Sequence, residues 1–549
     1  MLRIYCRNIC RGWLLPIIFI AISSSANTVH AQLANNLMVD GAALSMGNAV
    51  TADPPKIASI HYNPAGLTRL KGRHVSVSST FVYSQNTTKF SAPDDYMIFS
   101  EDDRDNNPII NGTFDDHTEQ QSAVYIPGHG AKIIPIILPI PVGALPGWGV
   151  SINPPGSKFT FASSAYMQML ASHDVEDDDP LKYQATTSVL QHFTYASPTV
   201  AYEVNDQLSI GLSLGFNHTG MYVRKTSISP NMLTGVNEMI QDALCGPPED
   251  RTGFALAFIY NPCGGNIGPF DEAGEATIDM EDTLSTHWTV GVLWQANDWL
   301  TVGANYQSES KVKMSGTFDL QFNEDWYDYY REYRNSIYGA LNADQYNTPH
   351  GLDRERADVS LDLIYPQKFD VGISMQLTPR WKVNIDLHWV DWAVWDVWTL
   401  NLDRDIEALS AAMLLRSDIL RPNSQDTELY MKSTWSQAIG VEYKVNDRLK
   451  LRFGIENRPD SVDNYYATAN SGLSDTVLFG LGAEYKWDPE STMDFYMSYM
   501  ESSRELDANT SINANTDSLL NLVTNPYAGL DIESSTKVLM WGVKYTKQW

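Results

Sequence analysis

The sequence predicts an all-β protein: a 14-stranded antiparallel transmembrane β-barrel with an N-terminal hatch inside its lumen. Three observations predict it. Apolar and polar residues alternate with period two over segments of nine or more residues. Tight turns take turns with long polar stretches. The chain also opens on a leader that marks it for export.

The leader comes first. Arg3, Arg7 and Arg11 form a basic start, Trp13 to Ile22 an apolar run, and Val29-His30-Ala31 a small-x-small cleavage site before Gln32. Residues 1–31 are therefore a signal peptide, too short in its apolar run to span a bilayer. The 549-residue chain carries a formal charge of -28, which argues against nucleic acid as a partner. A mean hydropathy of -0.27 argues against a bundle of membrane helices. Cys6 and Cys10 leave with the leader, so Cys245 and Cys263, alone in an exported chain, are expected to pair as a disulfide.

Residues 32–72 do not alternate. GAALSMGNAVTADPPKIASIHYNPAGLTRLKG is small, Gly/Ala-rich and broken by Pro, and it precedes the first strand, so it is expected inside the barrel as a hatch. The barrel with its long extracellular loops takes 73–549. LSIGLSLGF (208–216), WKVNIDLHW (381–389) and RLKLRFGIE (448–456) show the alternation most plainly. Fourteen such segments are expected, beginning with 73–90, 119–138 and 147–163 and ending with 536–548. The number is even, as a single-chain barrel requires. VNDQL at 204, ANDWL at 296, TPRW at 378, VNDRL at 445 and DPEST at 488 are the tight turns; 227–282, 321–365, 400–430 and 505–535 are the long polar stretches. A soluble β-sandwich would also alternate, but Trp299, Trp381, Trp389, Trp392 and Trp487 near strand ends suit interfacial girdles. The last strand ends on Trp549, a terminal aromatic of the kind read by the outer-membrane assembly machinery.

One stretch resists the pattern. GWGVSINPPGSKFTF (147–161) begins and ends as a strand but holds Asn153, Pro154, Pro155 and Gly156 in its middle. Proline has no N–H for a ladder. On the residues alone, NPPG is either a tight turn between two short strands or a break in one. The neighbouring run IIPIILPIPVGALPGW (133–148), with four prolines, is expected to end strand two in a broken turn.

The hatch motif NPAGLTRL (Asn63, Pro64, Ala65, Gly66 and onward) resembles that of the FadL/TodX (OmpP1) outer-membrane transporters of long-chain fatty acids and hydrocarbons. The resemblance extends through GWGVSINPPG, AYEVNDQLSIGLSLGFN and YPQKFDVGISMQLTPRWKVNIDLHWVDWAVWD. It implies a plugged 14-stranded barrel in the outer membrane of a Gram-negative bacterium. Its substrate would be a long-chain fatty acid or hydrocarbon, captured by outer loops. Release would be sideways, through a gap at a kink in strand three beside the hatch's Asn-Pro-Ala. On that reading Asn153 to Gly156 are the lateral window. The same resemblance places substrate on the third and fourth outer loops and a basic residue, Arg224 or Lys225, near the ligand. In DWYDYYREYRNSIYGAL (325–341), Trp326, Tyr327 and Tyr330 beside Arg331 and Arg334 give either a capture groove or a helix packed on its own neighbours. The family usually works as single barrels in contact with lipid and lipopolysaccharide.

No cofactor, metal or catalytic residue is expected, because passive transfer needs a graded apolar path and no chemistry. Asp386 and His388 share a face and His192 and His218 sit on strands, but none has a nucleophile beside it. The acidic runs at 101–105 and 174–179 read as solvated loop, with divalent cations between lipopolysaccharide phosphates as the rival. An open porin and a structural or adhesin barrel are the alternatives in function.

Overall fold

The computed structural model describes residues 36–111, 123–132, 143–246, 258–342, 348–412, 421–470, 474–517 and 525–549. The leader and the 133–142 part of the proline-rich run lie outside these residues.

Fourteen antiparallel strands form a barrel. β1 is Gly72–Ser91, β2 Gly143–Asn153 and β3 Phe159–Asp174. β4 runs in two pieces, Thr187–Ala196 and Thr199–Glu203. β5 is Leu208–Ser227 and β6 Gly274–Asn297. The next four strands are each broken once. β7 is Leu300–Gln307 and Ser310–Phe322, and β8 is Arg354–Tyr365 and Lys368–Gln376. β9 is Trp381–Val390 and Val397–Leu402, and β10 is Ser424–Glu428 and Thr434–Lys444. β11 is Leu449–Arg458, β12 Thr476–Lys486, β13 Ser491–Leu506 and β14 Asp531–Gln548. β14 pairs back onto β1 from His74↔Gln548 to Ser91↔Asp531, which removes the free edges.

The wall has two zones. Toward the tight turns, β6 exposes Trp288, Val290, Val292 and Trp294 and buries Ser285, His287, Thr289 and Gly291. β9 likewise exposes Trp381, Ile385 and Leu387 and buries Asn384, Asp386 and His388. Trp381 and Trp389 bound this band: eight residues at ~3.3 Å cover about 26 Å of strand, and a tilt near 40° reduces that to about 20 Å across the bilayer. Nearer the long loops the pattern inverts. Val312, Met314, Phe318 and Leu320 of β7 point in and Lys311 and Lys313 point out; in β8, Val359, Leu361 and Leu363 point in and Arg356, Asp358 and Asp362 point out. Changing which parity faces inward requires an irregularity, and the breaks at 308–309 and 366–367 and the slipped register between Asn217 and Thr219 supply it. The physical cause is solvent. Below, the outside meets lipid; above, it meets water.

Two sequence expectations are corrected here. Segment 119–138 does not supply strand two: among the described residues, Val124–Ile126 and Gly130–Lys132 pair only with each other. Segment 147–163 is not one strand either. Asn153 ends β2, Phe159 begins β3, and the prolines make the tight turn between them. The Ser157 N–H donates to the Pro154 carbonyl at 2.9 Å, Gly156 takes φ +73°, and the Asn153 amide donates to the Phe159 carbonyl at 2.9 Å. A turn asks for no ladder donor, so two prolines cost nothing there. The two errors cancel, and the count of fourteen stands. Trp392 also moves: it is fully buried in a short loop helix, Trp392–Val394, away from any girdle.

Candidate functional site: hatch, parted strands and apolar lumen

Residues 36–71 fill the lower lumen. Short helix α1 (Gly41–Ser45) is capped by Asp40, whose Oδ1 accepts from the Ala42 and Ala43 N–H groups at 2.9 and 3.1 Å. Asn63 is the pin. Its Nδ2 donates to carbonyls of Thr51 (2.9 Å), Val292 (3.0 Å) and Ala304 (3.3 Å), and its Oδ1 caps the Pro64–Arg69 turn through Ala65 N–H at 3.2 Å. Ala65 and Gly66 are buried behind it. The hatch backbone lies directly on the wall because the wall has glycine where they meet. A Cβ on Gly291 would sit 2.1 Å from Asn63 Oδ1, one on Gly454 1.9 Å from the Met46 carbonyl carbon, and one on Gly480 2.0 Å from the Leu44 oxygen.

Ion pairs fasten the other side. Lys544 pairs with Asp40, Lys382 with Asp53, and Lys56 with Glu484 at 2.8 Å. Arg452 holds Glu442, Glu484 and Asp494 at 3.0, 3.2 and 2.7 Å. Burial alone would raise the Asp53 carboxyl, but Lys382 and Arg69 outweigh it and hold it at about 2. His388 Nδ1–H donates to the Asp370 carboxylate at 2.9 Å, and Asp386 accepts the Thr51 N–H at 2.6 Å. Asp386 thus ties the wall to the hatch, whereas His388 and Asp370 join two wall strands.

Above the hatch, β2 and β3 part. They pair only from Ile152↔Phe161 to Trp148↔Ala165. Beyond that, β2 continues on β1 as far as Val82↔Gly143, while β3 continues on β4 from Tyr166↔Thr194 to Asp174↔Thr187. Among the described residues, the upper part of β2 has no partner on its β3 side. β3 carries a bulge at Gln168, and residues 164–171 are buried on both faces, as a strand turned into the lumen must be. At the foot of the parting is a cavity of about 30 Å³, room for about one water. Gly147, Ala165 and Tyr166 line it from the wall, and Ile57, Ala58 and His61 from the hatch. Asn63 to Gly66 dock elsewhere, against β5, β6 and β7.

The upper lumen is apolar. Met169, Leu190, Met221, Met280, Met314 and Leu361 belong to one buried cluster that continues upward into Trp392, Trp395 and Trp398. Helices α2 (Met232–Cys245) and α3 (Glu324–Asn335) cap it, joined by the Tyr329 hydroxyl donating to Asn237 at 3.1 Å. Trp326 and Tyr330 of α3 are buried in the cluster, Trp326 stacked on Phe322 at 5.5 Å. Tyr327 is half-buried against the cluster; Arg331 is exposed and held by Asp328, and Arg334 donates to the Thr348 carbonyl. Lys225 turns inward and is buried, whereas Arg224 turns out to Asp177 (2.9 Å) and Glu275 (3.2 Å). Cys245 and Cys263 are joined as a disulfide. Within the acidic runs, Asp103 accepts the Ile98 and Ser100 N–H groups, and Asp177 meets Arg224. No group of metal-ligating side chains occurs among the described residues.

Residues 18–549 match the outer membrane protein transport protein family (OMPP1/FadL/TodX). The chain belongs to this family. It is an outer-membrane barrel of the Gram-negative type, from a family of channels for hydrophobic substrates. Solved structures carry the same fold. A Pseudomonas aeruginosa FadL homologue superposes with TM-score 0.60 at 16% identity, covering 97% of this chain and 100% of that one. The P. putida toluene transporter TodX gives 0.55 at 14%, covering 95% and 99%, and the CymD monoaromatic hydrocarbon channel 0.54 at 15%, covering 94% and 99%. Curated protein sequences yield no significant match.

The sequence pointed to the hatch and to a gap at strand three, but placed that gap at Asn153–Gly156, which form the β2–β3 turn, and not above Trp148↔Ala165, where the strands part. The signal was present in FASSAYMQMLAS (161–172), which abandons alternation for a run of small and thioether residues.

Proposed function

We propose that this barrel takes up hydrophobic compounds passively, long-chain fatty acids or hydrocarbons, by capture on the α2–α3 loops, passage through the apolar lumen and lateral release between β2 and β3. The observation that carries the reading is the parting of these strands directly over hatch residues Ile57, Ala58 and His61. A hydrophobic solute in that lumen is stopped below by the hatch and has lipid to its side, so the downhill direction is sideways. Related barrels described as toluene and monoaromatic hydrocarbon channels support the substrate class. The window assigned to Asn153–Gly156 moves upward, to 147 and 165–168. No step asks a side chain to make or break a bond, so the protein is read as a transporter and not an enzyme. Lipid and lipopolysaccharide contact, delivery through Trp549 and a single-barrel state complete the proposal.

The test extends the β2–β3 ladder by one rung. Gly147→Cys with Tyr166→Cys occupies the next register pair above Trp148↔Ala165. Oxidised, the variant should lose most uptake of oleate and toluene by cells lacking their own channel, and reduction should restore it. Full uptake in the oxidised form overturns lateral release. Planar-bilayer conductance separates the porin reading, since a plugged barrel conducts little.

A further inference from the structure

Between the hatch and the apolar lumen lies a band of neutral polar side chains that crosses the barrel. Its bonds run in one direction. Gln307 Nε2 donates to Gln168 Oε1 at 3.2 Å, and Gln168 Nε2 donates to Thr194 Oγ1 at 2.8 Å. Thr194 then donates to Asn217 Oδ1 at 2.8 Å, and Asn217 Nδ2 donates to His287 Nδ1 at 3.1 Å. Gln307 is on β7 and Gln168 is the β3 bulge, so the chain ties together strands four apart in the wall. A relay that points one way leaves an unmet acceptor at its head. Gln307 Oε1 is that acceptor, and His192 Nε2, Ser285 Oγ and Ser310 Oγ are also unpartnered, with every one of these residues at least 97% buried. Register gathers them: Ser285 faces Asn217, Ser310 faces Tyr365, and Tyr365 stacks on His192 at 4.1 Å.

Four buried polar atoms without partners are a standing cost, and a ligand that satisfies them removes it. Gln307 Oε1 can only accept, so the ligand must donate. The Ser hydroxyls and His192 can donate in return. Of the inward lysines, Lys368 is engaged below by His61 at 2.8 Å and Asn36 at 3.1 Å with Asp370 on the same side, and Lys225 lies further up β5 beyond Met221, so a carboxylate in the band would be buried without a direct counter-charge. Resting on the uptake reading above, we propose that the band recognises an uncharged, hydrogen-bond-donating head, a hydroxyl foremost, on a hydrophobic tail lodged among Met169, Met221 and Met314.

Equilibrium binding of tritiated 1-decanol, decanoate and decane to the purified full-length barrel at pH 8 tests it, the three probes differing only in the head. Decanol should bind at least tenfold more tightly than either other probe, and Gln307→Met should bring all three within about threefold. Equal or tighter binding of decanoate or decane overturns the proposal, as does a preference that survives Gln307→Met; both would mean that water alone satisfies the band. Should Gln307→Met fail to form a heat-modifiable barrel, the wild-type ratio decides, with Ser285→Ala as the second variant. Cellular uptake of decane and decanol at equal rates sinks this inference alone; uptake of none of the three sinks the transport reading with it.

Discussion

Asn63→Ala should loosen the hatch while leaving the barrel standing. The Asn63 amide has two N–H groups shared among three carbonyls, two of them on strands β6 and β7, and its oxygen caps the turn that follows. Two donated bonds at about 0.5–1.5 kcal/mol each, with a cap near 1 kcal/mol, come to roughly 2–4 kcal/mol of docking. That is on the order of 30- to 1000-fold in the docked-to-released ratio. Amide hydrogen exchange in the intact barrel reads it directly: residues 41–66 should lose protection by that factor, while strand amides and heat-modifiability on gels stay as they are. Asn63→Asp should be worse than alanine, since it brings a carboxylate against carbonyl oxygens. Unchanged protection of the hatch in Asn63→Ala would refute the pin. Collapse of the whole barrel would refute the separation of hatch from wall.

Three further outcomes are expected. Pro154→Thr with Pro155→Val should leave oleate and toluene uptake as in the wild type, because these prolines turn the chain between β2 and β3 and break no strand; steep loss of uptake would restore them to the window. Cys245→Ser with Cys263→Ser removes a cross-link whose loop closure is worth about 3 kcal/mol, so limited proteolysis should cut between residues 228 and 273 faster while the β-strands stay protected. Asp53, with its carboxyl held near 2 in the folded hatch, stabilises docking above its ordinary value of 3.8 and loses that contribution as pH falls toward 2. Hatch protection should therefore drop with acid across that window, and Asp53→Asn should flatten the drop.

Much of the architecture was legible because solvent writes it into the chain. LSIGLSLGF and WKVNIDLHW must put one parity in lipid, and Asn-Asp turns close the short end. The inverted zone was harder to read. RERADVSLDLIY also alternates, but with charges outward, and in a barrel expected to be apolar outside it passes for loop. Local pattern states that two faces differ; it does not state which medium each face meets. The second strand shows the same limit, since VYIPGHGAK and GALPGWGVSIN are equally short and equally interrupted, and only pairing with β1 selects the latter.

By itself the sequence determined the class of the molecule, the parity of the lipid-facing band and the hatch that carries Asn63-Pro64-Ala65-Gly66. These follow from contacts between a side chain and its nearest solvent, or between residues a few positions apart. Tertiary structure alone decided where the wall parts, which way Lys225 and Arg224 turn, and that Gln168 and Gln307 meet across the lumen. Each of those depends on closure of the cylinder, which sets strands far apart in the chain face to face, and no local pattern of residues encodes that distance.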